Sequence, residues 1–169
     1  MLEDAGLIEV QTYIQSGNVI AKSHLSRDEI QKLVHRAIKQ NFGGDIAAIS
    51  RTAKEFQAIV PAHPFGKVAT EKLYFTIMQS PGKPALVKEF SGRDYSPDQI
   101  RIKKDVIYTL CATKYSDLKI NNNVIERKLG IAATTRNYNT MTKLAELSQI
   151  TASKTKPGKS ATGKSSKTY

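Results

Sequence analysis

The sequence predicts an α+β protein made of two ferredoxin-like (α-β plait) domains, the first incomplete at its N-terminus, followed by a disordered basic C-terminal tail. Helix-like and strand-like patterns alternate along the first 150 residues. After a leading helix, the second half has the element order βαββαβ, which is that of the split-βαβ fold. The first half has the same order without an opening strand. We therefore predict domains over residues 1–52 and 53–150 and a tail over 151–169.

A hairpin and a capped helix open the predicted pattern. Two β-prone runs, 10–15 and 19–22, flank the turn-forming triplet Ser16-Gly17-Asn18. Ser26 precedes Glu29 by three residues, which is the spacing of a capping box. Apolar residues then recur at helical spacing, and this predicts a helix from Arg27 to about Asn41.

The remaining elements follow from the same two periodicities. Residues 45–51 alternate as a short strand, Thr52 can cap a short second helix, and residues 72–78 form the clearest strand of the chain. The rest of the pattern predicts a helix over 85–90, a hairpin of 99–103 with 106–111, a helix over 123–129, a strand over 131–135 and a helix over 140–148.

Composition excludes several classes of protein. Of 169 residues, 26 are Lys or Arg, 15 are Asp or Glu, and one, Cys111, is cysteine, so an internal disulfide, a Cys-based zinc site and a CxxC pair are impossible. The start of the chain lacks the features of a secretory signal, and no run of about 18 apolar residues occurs. We expect a cytoplasmic protein without a membrane anchor, and we expect no metal and no cofactor.

The net charge of +11 is unevenly spread, since five of these charges lie in the tail, which holds five lysines and no acidic residue. Its Ser, Thr, Gly and Ala content cannot repay the entropy of ordering, so we expect disorder there. Residues 1–150 keep 21 basic and 15 acidic side chains, an ordinary surplus. A P-loop pattern at 158–165 falls in this tail without the strand and helix that a P-loop needs, and we reject it.

Three motifs carry a family resemblance. They are the run Thr12-Tyr13-Ile14-Gln15-Ser16-Gly17-Asn18-Val19, the turn His63-Pro64-Phe65, and Thr134-Thr135-Arg136-Asn137-Tyr138-Asn139-Thr140 followed by Lys143-Leu144. Over roughly residues 1–148 the chain resembles the bacterial family catalogued as domain of unknown function 1697. The resemblance implies two ferredoxin-like plaits and supplies no activity. Family members begin with a strand and a Gly-rich loop that this chain lacks, and we interpret Met1 as an internal Met or the result of truncation.

Two segments are candidate sites for a phosphate-bearing ligand. Thr135, Arg136 and Asn137 precede the last predicted helix, whose free N–H groups could hold an anion beside the guanidinium. The alternative is a capped helix with Arg136 bonded to backbone carbonyls. Ser16 and Asn18 form the second candidate, against which stands a purely structural hairpin turn.

Basic residues suggest a nucleic-acid surface. A polar, basic region surrounds the predicted helix 123–129, although such regions are usually only solvated, and the tail adds sequence-independent attraction. The candidates are Lys114, Lys119, Arg127, Lys128, Lys154, Lys156 and Lys159. The three histidines are scattered and form no acid–base or metal pattern, so no catalytic residue is assigned.

These observations leave three functional hypotheses. The first is a non-enzymatic binding protein for nucleic acid or another phosphate-bearing ligand. The second is an enzyme acting on a small phosphorylated or nucleotide-like substrate between the two plaits. The third is a protein-interaction module. The residues favour the first, and they do not specify an oligomeric state.

Overall fold

The chain is described by a computed structural model, which covers residues 1–14, 17–118, 120–153 and 167–169. These residues form two antiparallel sheets and five α-helices, so the α+β class predicted from the sequence is confirmed. In chain order the elements are β1 (Ile8–Tyr13), β2 (Asn18–Ser23), α1 (Arg27–Phe42), α2 (Ala53–Gln57), β3 (Leu73–Met78), α3 (Pro84–Ser91), β4 (Gln99–Lys103), β5 (Val106–Leu110), α4 (Asn122–Leu129), β6 (Ala133–Asn137), α5 (Tyr138–Ser153) and β7 (Lys167–Thr168).

The chain divides into two compact units. Unit 1 comprises Met1–Ala58 with Thr142–Tyr169, and unit 2 comprises Ile59–Met141. The sheet of unit 1 has the strand order β1-β2-β7, and that of unit 2 has the order β4-β5-β3-β6. Every adjacent pair of strands in both sheets is antiparallel.

Unit 1 is built around the predicted hairpin and capped helix. Ser26 accepts a hydrogen bond from the Glu29 backbone N–H, and the Glu29 carboxylate accepts one from the Ser26 N–H, so the capping box is present. Gly43, with a φ of 71°, ends α1 in the left-handed conformation. The helix buries one face against the sheet in a small apolar core, whose buried members are Leu2, Leu7, Ala21, Ile30 and Ala37.

The strand expected over residues 45–51 is wrong. All seven residues are described, and none of them belongs to a strand. Polar groups of this stretch bond to α1 instead: Ile46 O lies 2.9 Å from His35 Nδ1, and Ser50 Oγ donates to Arg27 O at 3.3 Å. An alternating pattern favours an extended backbone, but a strand also needs a partner edge, which local sequence cannot supply.

Unit 2 contains the element order βαββαβ over β3–α3–β4–β5–α4–β6. The central strand β3 pairs with β5 on one side and β6 on the other. Side chains from the sheet, α3 and α4 share an apolar core, which contains Met78, Phe90, Ile100, Ile107, Ile120, Ile125, Leu129 and Ala133. The helix α4 starts at the N-cap Asn121 and ends at Gly130, whose φ is 64°.

The segment 151–169, expected to be disordered, is described only at its two ends. Residues 151–153 continue α5, where the buried Thr151 donates its hydroxyl to Leu147 O at 3.1 Å. At the other end, β7 pairs with β2. Residues 154–166, with Lys154, Lys156 and Lys159, lie outside the described residues.

Candidate anion-binding cleft

A cleft of about 530 Å³ lies on unit 1. Its walls are the turn at Ala5-Gly6, the chain leaving β2 at residues 23–25, and residues 29–36 of α1. Leu25 and Leu33 form its apolar part, and both pack against the core of unit 1. This volume falls within the range of roughly 300–1,000 Å³ typical of small-molecule sites.

Three basic side chains line the cleft: His24, Lys32 and Arg36. Lys32 and Arg36 are four residues apart on α1, so they lie one above the other on one helix face. All three are exposed. Arg36 Nε donates to Lys32 O at 3.3 Å, and within the described residues the terminal guanidinium nitrogens have no hydrogen-bond acceptor. These donors are therefore available to an anion.

Glu29 is the acidic residue that lines the cleft, and its carboxylate is already engaged. Oε2 accepts hydrogen bonds from Ser26 N at 2.7 Å and from Ser26 Oγ at 2.6 Å. The Ser26 hydroxyl, the Ser26 backbone N–H and nearby Lys32 lower the pKa of Glu29 below its usual value. The cleft thus combines one committed carboxylate with two permanent cations and a histidine.

The one hydroxyl among the described lining residues and the one carboxylate both have protein partners. The hydroxyl that lines it, from Ser23, is buried and accepts a hydrogen bond from Leu25 N at 3.1 Å. Glu29 is held in the helix cap. A nucleophile would need a free hydroxyl or thiol beside a base, and the lining residues supply no such pair.

The sequence-based candidates of β6 have protein partners. Arg136 NH1 donates to Thr134 Oγ1 at 2.6 Å and to Thr135 O at 2.9 Å, and burial lowers the pKa of its guanidinium. Asn137 Oδ1 accepts from Thr140 N at 2.8 Å and so caps the start of α5. Since side chains alternate along a strand, Thr135 and Asn137 share one face of β6 and Arg136 lies on the other.

Thr135 belongs to a polar chain across the sheet of unit 2. Its hydroxyl lies 2.7 Å from Thr76 Oγ1 and 3.2 Å from Asn122 Oδ1. Asn122 in turn donates to Ala133 O at 2.7 Å. These contacts join β3, β6 and the first turn of α4.

The two hairpin residues predicted to bind a phosphate-bearing ligand are Ser16 and Asn18, and the structure describes only Asn18. Asn18 is buried, and its Nδ2 donates to Tyr13 O at 3.1 Å across the hairpin. Gly17 has a φ of 73°, a left-handed conformation that suits glycine. Ser16 lies outside the described residues.

The candidate nucleic-acid residues occupy separate places. Lys114 precedes a short 3-10 turn, Tyr115–Asp117, whereas Arg127 and Lys128 lie in the last turn of α4. Lys128 helps to lower the pKa of Glu89, after the larger effect of Arg93. Lys119 lies outside the described part of the chain.

The described residues contain no cluster of metal-ligating side chains, and their cysteine is buried. No cluster of three or more His, Cys, Asp or Glu side chains that could hold a metal ion occurs there. Burial, and then Asp98, raise the pKa of Cys111 to about 11, which keeps the thiol protonated at neutral pH. Within the same residues, no helix has both the length and the apolar character needed to cross a membrane.

Sequence reasoning missed Lys32 and Arg36. The usable signal was their spacing of four within a helix that the sequence had already predicted. His24 follows a strand, and its sequence context matches no acid–base or metal-binding pattern. Its place beside the helix depends on the packing of β2 against α1, which no local pattern encodes.

Comparisons with known proteins agree with the fold. The family described as "Protein of unknown function (DUF1697)" matches residues 1–108, so the motif at 134–140 lies beyond the match. A solved structure, "The structure of conserved bacterial protein SP0830 from Streptococcus pneumoniae", is similar with a TM-score of 0.64 and 16% sequence identity. The similarity covers 88% of this chain and 84% of that chain, and at this identity it shows the fold alone. No curated protein matches the chain.

Proposed function

The chain belongs to the family described as a protein of unknown function (DUF1697), and we propose that it is a non-enzymatic binding protein for a phosphate-bearing ligand of about nucleotide size. The observation that carries this proposal is the cleft of unit 1, where Lys32 and Arg36 present donors beside His24. An Arg fork and a Lys ammonium are typical partners of phosphate oxygens.

The apolar part of the cleft supports a ligand that has more than a phosphate. Leu25 and Leu33 offer a surface for a ring or an acyl chain, while the cations would hold the charged end. A volume of about 530 Å³ suits a small ligand or the end of a single strand and is too small to enclose a duplex. We also place the protein in the cytoplasm as part of this proposal.

We further propose that unit 2 is a ferredoxin-like plait. The supporting observations are its βαββαβ element order and its strand order, with the first and third of its strands, β3 and β5, at the centre of the sheet. The sequence-based division into 1–52 and 53–150 remains a prediction beside the two compact units.

A binding titration with matched variants tests the proposed function. A fluorescent nucleoside triphosphate and a labelled single-stranded octanucleotide are titrated with the 169-residue chain at 50 and 150 mM salt, with anisotropy as the readout. The double variant K32Q/R36Q removes both permanent cations from the cleft. Because a hydrogen bond to a charged group contributes roughly 1.5–3 kcal/mol, each substitution is expected to weaken binding about tenfold or more.

Two controls separate the cleft from general charge. K83Q/K88Q removes two exposed lysines of unit 2 and is expected to change affinity less than twofold. Replacing Lys154, Lys156, Lys159 and Lys164 with Gln tests the attraction of the segment outside the described residues. The proposal is rejected if the cleft variant binds both probes as well as the parent chain does, or if neither probe binds. Release of inorganic phosphate from the bound nucleotide would instead favour the enzyme hypothesis.

A further inference from the structure

The outer edge of β2 holds the last three residues of the chain through specific contacts. Lys167 and Thr168 lie opposite Ser23 and Lys22 in antiparallel register. The next residue, Tyr169, continues the pairing opposite Ala21: its N–H donates to Ala21 O at 3.0 Å, and its backbone oxygen accepts from Ala21 N at 3.1 Å.

The tyrosine side chain adds selectivity to this backbone pairing. Its hydroxyl donates to Leu25 O at 3.0 Å. Its ring packs against the apolar core of unit 1. The edge of β2 with Leu25 and this core surface, which we call the β2 slot, therefore recognises an extended backbone, an aromatic ring and a hydroxyl together.

We propose that the β2 slot also takes the C-terminal strand of a second copy of this chain, which yields a strand-exchanged dimer. The occupant is fixed by complementarity, because a second copy carries the same Lys167-Thr168-Tyr169 sequence and makes the same contacts. Exchange of an identical element between protomers is a low-cost route to a dimer.

The shortness of β7 makes such an exchange accessible. A strand of two residues contributes few bonds, so it opens more readily than the longer strands of the sheet. Once open, it leaves the N–H and C=O of Ala21 unpaired on an exposed edge, which can accept another strand. The thirteen residues 154–166 joining α5 to β7 can reach at most about 45 Å when extended.

The two modes of filling the slot differ in concentration dependence. The chain's own strand has an effective concentration on the order of millimolar, since it is tethered. The parent chain is therefore expected to be monomeric at about 20 µM and to form dimer as its concentration approaches the millimolar range.

A complementation experiment tests the proposal with full-length chains. The acceptor variant Y169D disables its own strand but keeps the slot. The donor variant A21P keeps the strand but removes the Ala21 N–H that holds Tyr169, an N–H that points away from β1. Each variant alone is expected to be monomeric at about 0.5 mM by light scattering, and their mixture is expected to contain a species of twice the monomer mass.

A peptide experiment keeps the test decisive if A21P fails to fold. A labelled peptide of residues 163–169 is titrated against Y169D, with the same peptide ending in Ala as the matched control. Loss of a half-buried aromatic side chain is expected to weaken binding about tenfold or more. A folded Y169D that binds both peptides equally, or neither, overturns the proposal, as does a mixture of folded variants that stays monomeric.

Discussion

The ammonium group of Lys22 is buried in β2 and pairs with the carboxylate of Glu9. Its side chain is 4% exposed, and its Nζ lies 2.5 Å from Oε1 of Glu9, whose side chain is 47% exposed. Glu9 reaches this position from an irregularity in β1 between Ile8 and Gln11, with a φ of 51°. Replacing Glu9 with Ala would leave the buried cation without this carboxylate.

The size of the effect follows from the burial of the two partners. Breaking a fully buried ion pair costs roughly 3–5 kcal/mol, and breaking an exposed pair costs about 0–1 kcal/mol. Because only the lysine is fully buried, we expect E9A to lower the free energy of unfolding by about 2 kcal/mol. K22M removes the buried charge and keeps an apolar stem, so we expect a loss of less than about 1 kcal/mol.

A double-mutant cycle measured by urea denaturation checks this expectation. The double variant E9A/K22M is expected to resemble K22M, so the coupling energy equals in magnitude the cost of E9A, about 2 kcal/mol. K39M, at an exposed lysine of α1, serves as the matched control and should change stability by less than about 0.5 kcal/mol. A larger cost for K22M than for E9A, or no measurable cost for E9A, would show that Glu9 does not stabilise the buried ammonium group.

Three further predictions concern single residues. S26A should cost about 1 kcal/mol at pH 7 through loss of the cap hydroxyl. Because the folded pKa of Glu29 lies below its usual value of 4.5, the stabilisation from its charge is present above that pH and is lost as the pH falls. Urea denaturation at pH 3 should therefore show a smaller stability difference between S26A and the parent chain than at pH 7. Cys111 has a pKa of about 11, so about one thiol in a thousand is ionised at pH 8. A disulfide reagent should therefore label Cys111 slowly in the native chain and at once in denaturant. Rapid labelling of the native chain would contradict the burial of this thiol. G130A should cost about 1 kcal/mol by thermal unfolding, from backbone strain at a φ of 64° alone, since nothing lies within 4 Å of an added Cβ; an unchanged midpoint would contradict this.

Local chemistry accounts for the elements that were predicted. The cap residues Ser26, Thr52 and Asn121 start helices, and Gly43 and Gly130 end them, because each acts through bonds within a few residues. The hairpin of β4 and β5 also matches its prediction, since its alternation and turn are contiguous in sequence.

The observed bounds of two elements differ from the predicted ones, because packing and hydrogen bonding override the local helix or strand propensity. The apolar Ile131 suggested a strand from residue 131, but its N–H donates to Glu126 O in the turn after α4, and β6 starts at Ala133. The helix α5 runs five residues past its predicted end at Ser148. Its Ser and Thr residues have low helix propensity, and burial of Thr151 compensates for this.

The cleft and the β2 slot could not be predicted because both depend on non-local packing. Lys32 and Arg36 are visible as a spacing, yet the turn at Ala5-Gly6 makes them walls of a cleft only after the chain folds. Similarly, no apolar residue larger than Ala precedes Tyr169 in the tail, so its pattern does not indicate a strand. The strand is held instead by backbone hydrogen bonds between Tyr169 and Ala21 and by packing of the Tyr169 ring on the core of unit 1.

The β7 pairing changes how the charge of the tail must be tested. Ending the chain at Ile150 would remove five lysines, and it would also remove β7 and the Tyr169 ring from the core surface of unit 1. Any loss of ligand binding would then have two explanations, since Leu25 contacts Tyr169 and also lines the cleft. Lysine-to-glutamine substitutions within residues 154–164 keep these contacts. They change the charge alone, so a loss of binding in that variant can be assigned to electrostatic attraction.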